Sequence, residues 1–416
     1  MSRALNRGLE AAASPFRPGF WRSPLRGPRL TAILSTALLI GLPLVLLTGL
    51  LSYAAYNPDL GGNDRTPERG WLGFYLFAWP TDPHWLYRLN QGVHVTLGIA
   101  LVPVLLAKLW SVFPLLFAWP PARSVTKAVE RISLLLLVGS VLFECVTGLL
   151  NTQLDYLFPG SFYTLHFYGA WVFFAALIVH IGTRLGKLRR GLCDEGGEEL
   201  RAPDPDPPTL SRRGAIGLVG AGSALLTAVT VGQSFGGPLR RTALLAPRGG
   251  PYPDDGPNGF PVNRTVASAG IGAAELGDGW RLTVRGPERS MVLSRADLLA
   301  LAQHSARLPI ACVEGWSTGD LHWSGVRLAD LAALVDADPG RGVFVESAQL
   351  RGAFRAVSLR GNQVRDGRSL LALRVGGADL SPDHGYPARV VIPAAPGVHN
   401  TKWVTRLSFE REGRQS

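Results

Sequence analysis

The sequence predicts a multi-domain chain: an all-α bundle of five transmembrane helices, followed by a soluble β-rich α+β domain. At 416 residues the chain exceeds the usual size of one domain, so each part can bury its own core. Long apolar runs fill the chain up to about residue 235, whereas charge, Gly, Pro and short β-like runs mix after Pro238. The two parts therefore suit different solvents.

Five stretches reach the length of about 20 predominantly apolar residues that a membrane helix needs. They cover roughly residues 31 to 53, 92 to 113, 132 to 151, 165 to 183 and 214 to 233. An acidic, Pro-rich linker separates the fifth from the other four. The predicted segments are a basic tail (1–29), a four-helix membrane domain (30–190), the linker (191–210), the fifth span (211–235) and an extracytoplasmic domain (236–416).

The placement of positive charge predicts the orientation of the spans. The net charge is +11, and the Arg and Lys residues cluster at the ends of apolar segments, which indicates membrane topology and argues against a nucleic-acid partner. The N-terminal tail, the loop between spans two and three and the segment after span four are basic, whereas residues 152–164 contain no Lys or Arg. We therefore expect a multi-pass protein of the cytoplasmic membrane, with a cytoplasmic N-terminus and the C-terminal domain outside.

The fifth span begins with an arginine pair. Ser211-Arg212-Arg213-Gly214 precedes a helix rich in Gly, Ala and Leu, and it resembles an internal, uncleaved twin-arginine export signal. That route carries folded proteins, as a domain loaded with a large cofactor in the cytoplasm would require. An ordinary basic anchor before a span is the alternative.

Three histidines lie within the predicted spans, where ionisable side chains are costly and therefore candidates for function. His94 and His166 lie near the outer ends of spans two and four, and His180 lies near the inner end of span four. Two imidazoles at matched depth on neighbouring helices are what axial ligation of a b-type haem requires. We therefore predict that His94 and His166 bind haem iron.

The spacing on span four extends this prediction. His166 and His180 are 180 − 166 = 14 residues apart, so both rings lie on one helix face, about 21 Å apart along the axis. Residues 30–190 thus resemble four-helix dihaem b-type cytochromes, in which one helix carries a ligand for each haem. The position expected to pair with His180 is Lys108, so His180 is either a second haem ligand with an unusual partner or a structural residue.

The soluble domain contains strand-like runs at 279–284, 343–345 and 388–392 and helical patterns near 294–303 and 327–335. Neither a Walker loop, nor a Rossmann fingerprint, nor a zinc-type cluster is present in its sequence. Of the three cysteines only Cys312 lies in this domain, so no internal disulfide can form there; Cys145 and Glu144 are interpreted as packing and hydrogen-bonding residues of span three.

Two motif blocks carry a resemblance to a known family. Cys312-Val313-Glu314-Gly315-Trp316-Ser317 is the first, and Asp383-His384-Gly385-Tyr386-Pro387-Ala388-Arg389 with Lys402-Trp403 is the second. Together they closely resemble the sulfite oxidase superfamily, particularly the branch of bacterial periplasmic protein-methionine-sulfoxide reductases. The resemblance implies that the domain adopts the molybdopterin-binding fold of that superfamily.

The resemblance also implies the roles of individual residues. Cys312 would be a molybdenum ligand, for which a soft thiolate is suited. His384, Arg389 and Lys402 would bind the pterin and its phosphate, and Asn263 and Arg264 resemble the cofactor-contacting early loop of the family. The implied cofactors are molybdenum-molybdopterin and haem b, one haem being expected and a second left open.

Three departures from animal and plant sulfite oxidases bear on the substrate. His399 replaces an arginine, the early loop reads Asn-Arg-Thr, and the active-site tyrosine falls at Phe354. Fewer arginines weaken the case for sulfite, and the Cys-Val-Glu-x-Trp-Ser motif favours a reductase. We therefore expect reduction of a small or protein-borne sulfur oxide, such as a sulfoxide, with electrons from the quinone pool or a redox protein. The alternatives are a sulfite dehydrogenase with reversed electron flow, a haem electron-transfer protein with a non-catalytic domain, and a structural anchor without haem.

Overall fold

The computed structural model describes residues 23, 25–56, 77–116, 124–152, 162–193, 210–235, 237–245, 257–350 and 355–409. These residues form two compact units. The first contains the described parts of residues 1–47, 96–151 and 165–227, and the second contains those of 48–95, 152–164 and 228–416. The second unit is thus larger than the predicted domain 236–416, because it also takes in residues that flank the first two spans.

Long helices occupy the N-terminal half. Their bounds are Pro28–Tyr56 (α1), Leu86–Ala100 (α2), Val102–Leu116 (α3), Val125–Thr152 (α4), Phe162–Cys193 (α5) and Arg212–Ala228 (α6). Five helical stretches are long and apolar enough to cross a membrane, namely Pro28–Tyr56, Leu86–Phe113, Ala128–Leu150, Leu165–Gly182 and Arg212–Gln233. They coincide with the five predicted spans to within a few residues.

The first unit buries one apolar cluster to which α1, the start of α3, α4 and α5 contribute. Its buried members are Leu38, Leu101, Leu105, Val141, Phe173 and Leu177. Aliphatic and aromatic side chains at one level of neighbouring helices interlock in this way because each helix must cover an apolar face.

The second unit contains one mixed and one antiparallel sheet. The first has the strand order β2-β1-β10-β5-β6 and the second the order β3-β4-β7-β8, with β9 also paired to β7. The strands are Leu282–Arg285 (β1), Ser290–Leu293 (β2), His304–Leu308 (β3), Leu321–Arg327 (β4), Val343–Ser347 (β5), Ala356–Leu359 (β6), Leu370–Val375 (β7), Ala378–Asp379 (β8), Arg389–Val391 (β9) and Val404–Ser408 (β10). Pairing is antiparallel except between β1 and β10.

Short helices connect these strands. They are Val266–Ala269 (α7), Ala273–Leu276 (α8), Arg295–Ala300 (α9), Leu328–Ala333 (α10) and Gly361–Arg365 (α11). The predicted helical patterns near 294–303 and 327–335 are confirmed by α9 and α10, and the three strand-like runs are confirmed by β1, β5 and β9. The sheet-rich character predicted for the C-terminal domain is therefore correct.

Candidate molybdopterin site

Cys312 lies in a tight turn between β3 and β4. Its N–H donates to the carbonyl of Trp316 at 2.8 Å, and the N–H of Gly315 donates to the Cys312 carbonyl at 3.1 Å. Gly315 has φ of +96°, a conformation that favours glycine, and a Cβ there would come within 3.0 Å of Val95. The Cys-Val-Glu-Gly-Trp motif is therefore also the sequence of a turn that needs glycine at its fourth position.

The Cys312 side chain belongs to a buried apolar cluster that includes three aromatic side chains. The cluster contains Phe260, Trp316 and Trp323, and Cys312 itself is 4% exposed. The indole N–H groups are satisfied, since Trp316 Nε1 donates to Glu314 Oε2 at 2.8 Å and Trp323 Nε1 donates to the Leu308 carbonyl at 3.0 Å. The sulfur thus lies among buried side chains, and hydrogen bonds orient the two indole rings of this cluster.

His384 ends a 3-10 turn, Pro382–His384, and stacks on Phe260 with 3.7 Å between ring centroids. Its Nε2 lies 3.3 Å from the Pro261 carbonyl, and its Nδ1 lies 3.1 Å from Ser381 Oγ. Burial, reinforced by the charge of Arg389, lowers the pKa of His384 to about 3. His384 is therefore neutral, so it can contribute shape and hydrogen bonding but not the positive charge expected of a phosphate ligand.

Arg389 opens β9 and is 3% exposed. Its Nη1 donates to the His384 carbonyl at 3.2 Å, its Cζ lies 5.7 Å from the centroid of the Trp323 ring, and its Nε has no partner among the described residues. Burial lowers the pKa of Arg389 to about 10, an effect that the nearby Cys312 opposes. A buried guanidinium with an unused N–H is suited to hold an anionic ligand.

Lys402 joins the early loop to the second motif block. Its Nζ donates to the Arg264 carbonyl at 2.7 Å and to the Asp383 carbonyl at 2.8 Å. Arg264 Nη2 donates to the Ser268 carbonyl at 3.0 Å, and Asn263 is exposed. The structure therefore brings the early loop, the Asp-His-Gly segment and the Lys-Trp pair together, as the motif resemblance implied, while Phe354 lies outside the described residues.

The two predicted haem ligands, His94 and His166, have similar local surroundings, one in each unit. In the second unit Thr48 Oγ1 lies 3.1 Å from His94 Nδ1, and a Cβ on Gly49 would come within 3.2 Å of the His94 ring. In the first unit Thr147 Oγ1 lies 3.0 Å from His166 Nδ1, and a Cβ on Gly148 would come equally close to the His166 ring. The sequence Thr-Gly-Leu-Leu occurs at both places, 48–51 and 147–150.

Glu144 makes a contact between helices, as the hydrogen-bonding role predicted for it requires. Its Oε2 lies 3.0 Å from His166 Nδ1, so the ring is held by both Glu144 and Thr147.

The inner position predicted for a second haem involves Lys108 and His180. Lys108 Nζ donates to the Thr31 carbonyl at 3.3 Å, which gives this side chain a structural partner. His180 lies in α5, and its ligand role stays a prediction.

Sequence reasoning missed residues that hold the Cys312 turn from outside the motif blocks. Gln91 Nε2 donates to the Val313 carbonyl at 2.7 Å, and the Ser317 N–H donates to the Gln233 carbonyl at 2.8 Å. Arg240 Nη1 donates to the Ser317 carbonyl at 3.2 Å. Their sequence context is that of polar residues at the ends of apolar spans, so no local pattern distinguishes them from ordinary interfacial residues.

The described residues fit a molybdopterin cofactor by the chemistry of their donors. A buried thiol is present at Cys312, and buried N–H groups without described partners are present on Arg389 and on the Asn400 side chain amide. His399 is fully buried, and its Nδ1 has no hydrogen-bond partner among the described residues. Unused polar groups around a soft ligand are what a polar, anionic pterin bound through its metal would satisfy.

Comparison with known proteins finds relatives of the C-terminal part of the chain. The family model for the oxidoreductase molybdopterin binding domain matches residues 271–416. The uncharacterized oxidoreductase YuiH of Bacillus subtilis (strain 168) is 31% identical over 134 residues, which cover 32% of this chain and 66% of that protein. The mitochondrial sulfite oxidase of Drosophila melanogaster is 30% identical over 152 residues, or 31% of this chain and 26% of that one.

Among solved structures, the sulfane dehydrogenase SoxCD from Paracoccus pantotrophus shares 25% sequence identity with a TM-score of 0.30, covering 33% of this chain and 40% of that one. The fold, the site and the family match together define the C-terminal part of the chain as a molybdopterin-binding oxidoreductase domain. More particularly, this domain is of the sulfite oxidase type. The chain covers less than two thirds of the length of these relatives.

Proposed function

We propose that this protein is a membrane-bound molybdenum oxidoreductase that removes an oxygen atom from a sulfoxide or a similar sulfur oxide. The proposal depends mainly on one observation: the buried thiol of Cys312, from the first motif block, interacts electrostatically with the buried guanidinium of Arg389, from the second. The overall reaction consumes two electrons and two protons, and it releases the reduced sulfur compound and water. Bound molybdenum would supply the oxygen-atom transfer, for which the protein provides position and electrostatics.

In this proposal the candidate site residues hold the cofactor and shield the reacting atoms. Cys312 ligates molybdenum through its thiolate, which the positive charge of Arg389 stabilises. Arg389 and Lys402 bind the anionic end of the pterin, and Asn263 and Arg264 line its polar rings. Neutral His384 closes the pocket wall by stacking on Phe260. The buried rings exclude water from the reacting sulfur.

The membrane part would deliver the electrons. Five apolar helices support insertion in a lipid bilayer, and the basic flanks support a cytoplasmic N-terminus with the C-terminal domain outside. Haem b binding by His94 and His166 is supported by their matched surroundings, because each has a threonine hydroxyl near Nδ1 that can orient the imidazole and a glycine packed against the imidazole ring. The electron donor is then the quinone pool or a redox protein.

A sulfite dehydrogenase is the second candidate, since one of the reported relatives is named a sulfite oxidase. The replacement of an arginine by buried, neutral His399 favours the reductase, because a neutral ring does not attract a sulfite anion.

The test uses the full chain in detergent, reduced just to completion without oxygen. Methionine sulfoxide is expected to reoxidise the haem absorbance, whereas Cys312→Ala should keep the haem spectrum and lose this reoxidation. His94→Ala should lower haem content. Reduction of an oxidised sample by sulfite would instead identify a sulfite dehydrogenase, and a Cys312→Ala variant that is still reoxidised by the sulfoxide would contradict the molybdenum assignment.

A further inference from the structure

Arg240 is a buried arginine, and the described residues satisfy only part of its hydrogen-bonding capacity. It belongs to the 3-10 helix Gly237–Thr242 that follows α6, and it is 9% exposed. Nη1 donates to the Ser317 carbonyl, whereas Nε and Nη2 have no hydrogen-bond partner in the part of the chain that the structure describes. The guanidinium is thus desolvated with one side of its N–H fork unused.

The two unused nitrogens belong together. Nε and Nη2 lie on the same edge of the planar guanidinium, and their N–H bonds point in the same direction, which is the arrangement that binds two oxygens of one anion side by side. Burial lowers the pKa of Arg240, and no carboxylate acts on it among the described residues. A buried cation of this kind is stable only when an anion offsets its desolvation.

The position of Arg240 connects it with Cys312. Its Cζ lies 5.6 Å from the centroid of the Trp316 ring, and Trp316 shares the buried cluster of Cys312. Ser317, the hydrogen-bond partner of Arg240, pairs through its backbone with Ala311, the residue before Cys312. Arg389 lies over Trp323 of the same cluster, so two buried guanidinium groups border the aromatic cluster around the thiol.

We propose that Arg240 binds a tetrahedral oxyanion beside the Cys312 turn. The residue precedes the segment matched by the family model, 271–416, so the chain supplies this cation from the stretch that follows α6. The anion is either the phosphate of the cofactor or a free oxyanion such as sulfate; the assignment to the cofactor rests on the proposed function.

The experiment titrates sulfate into the full chain in detergent by calorimetry, at constant ionic strength maintained with chloride. Arg240→Met is expected to weaken sulfate binding at least about tenfold, because two charge-assisted hydrogen bonds are lost. Arg240→Lys keeps the positive charge but cannot make the paired N–H contacts of a guanidinium, so its sulfate affinity should lie between those of the parent protein and Arg240→Met. If Arg240→Met does not fold, Arg240→Lys provides the test. Arg307→Met removes an exposed charge from β3 and should leave the affinity unchanged.

Molybdenum and pterin contents, measured on the same samples, separate the two sources. Loss of both from the Arg240 variants would identify the phosphate of the cofactor, whereas weaker sulfate binding at full cofactor content would identify a free oxyanion. Variants that keep both the sulfate affinity and the cofactor content of the parent protein would overturn the proposal. A parent protein without molybdenum that still loses sulfate binding on Arg240 substitution would contradict the proposed function alone.

Discussion

At the scale of single residues, burial decides the protonation of the histidines near the site. His399 has no exposed surface, and its Nε2 lies 2.6 Å from the Tyr56 carbonyl. Because a carbonyl only accepts, the neutral ring carries its proton on Nε2. Burial lowers the pKa of His399 to about 4, as it lowers that of His384 to about 3. Both rings are therefore neutral near pH 7.

These pKa values predict how stability depends on pH. Below about pH 6.5 these two histidines bind protons in the unfolded chain but stay neutral in the folded protein, where they are buried. Their contribution to the free energy of unfolding is therefore present above that pH and is lost as the pH falls toward 4. His399→Gln should therefore reduce the fall of the thermal midpoint between pH 7 and pH 5. Exposed His322→Gln is the control, and an unchanged pH dependence in His399→Gln would contradict the prediction.

At the scale of elements, the Cys312 turn is held by segments that flank two of the apolar helices. Gln91 of α2 accepts a hydrogen bond from Ser52 of α1 and donates to the Val313 carbonyl. Ser234, just after the 3-10 turn Val231–Gln233, donates to the Gly315 carbonyl at 3.1 Å. Because each contact fixes a backbone carbonyl next to the cysteine, the sulfur position depends on helices outside the two sheets.

Gln91→Leu tests this dependence. The change removes the donor to the partly buried Val313 carbonyl, which costs about 1 kcal/mol and loosens the turn. Hydrogen exchange measured by mass spectrometry on a peptide covering residues 309–319 should become faster. Gln303→Leu removes a glutamine that also donates to backbone carbonyls, those of Leu298 and Leu301, and should not affect this peptide. Equal exchange in the parent protein and Gln91→Leu would refute the dependence.

At the scale of the whole molecule, the compact unit with the two sheets includes residues from far earlier in the chain. Trp79 is buried, its Nε1 donates to the Ala394 carbonyl at 2.6 Å, and its own carbonyl accepts from Asn362 Nδ2 at 2.8 Å. Arg368 pairs with Asp82 at 2.8 Å. The core of this unit therefore includes side chains that lie between α1 and α2.

Trp79→Phe is expected to destabilise the second unit although it changes no residue of the predicted domain 236–416. The phenyl ring keeps most of the packing but leaves the buried Ala394 carbonyl without its donor, a loss of about 1–3 kcal/mol in the free energy of unfolding. Chemical denaturation followed by tryptophan fluorescence measures it. Trp85→Phe is the matched control, since Trp85 is 44% exposed; equal stability of both variants would show that Trp79 lies outside the cooperative core.

The sequence by itself predicted the apolar helices and the sheet-rich C-terminal domain, which the structure contains, and it named the candidate residues of a cofactor site, whose roles stay a prediction. Membrane-length apolar runs and alternating strands are local patterns, so they can be read along the chain. The Cys312 and Asp383–Arg389 blocks could be recognised for the same reason: each is a contiguous segment whose turn geometry requires its residues, as Gly315 shows.

Only the tertiary structure decided which distant residues complete the site. Trp79 and Ala394 are 315 positions apart, and Gln91 and Val313 are 222 apart. Contacts of this kind arise from burial and hydrogen-bond satisfaction in the folded chain, so no local periodicity encodes them. Arg240 is the clearest case. In the sequence it is one more basic residue after an apolar helix. Its guanidinium becomes desolvated only in the folded chain, where it donates to the Ser317 carbonyl at the end of the first motif block.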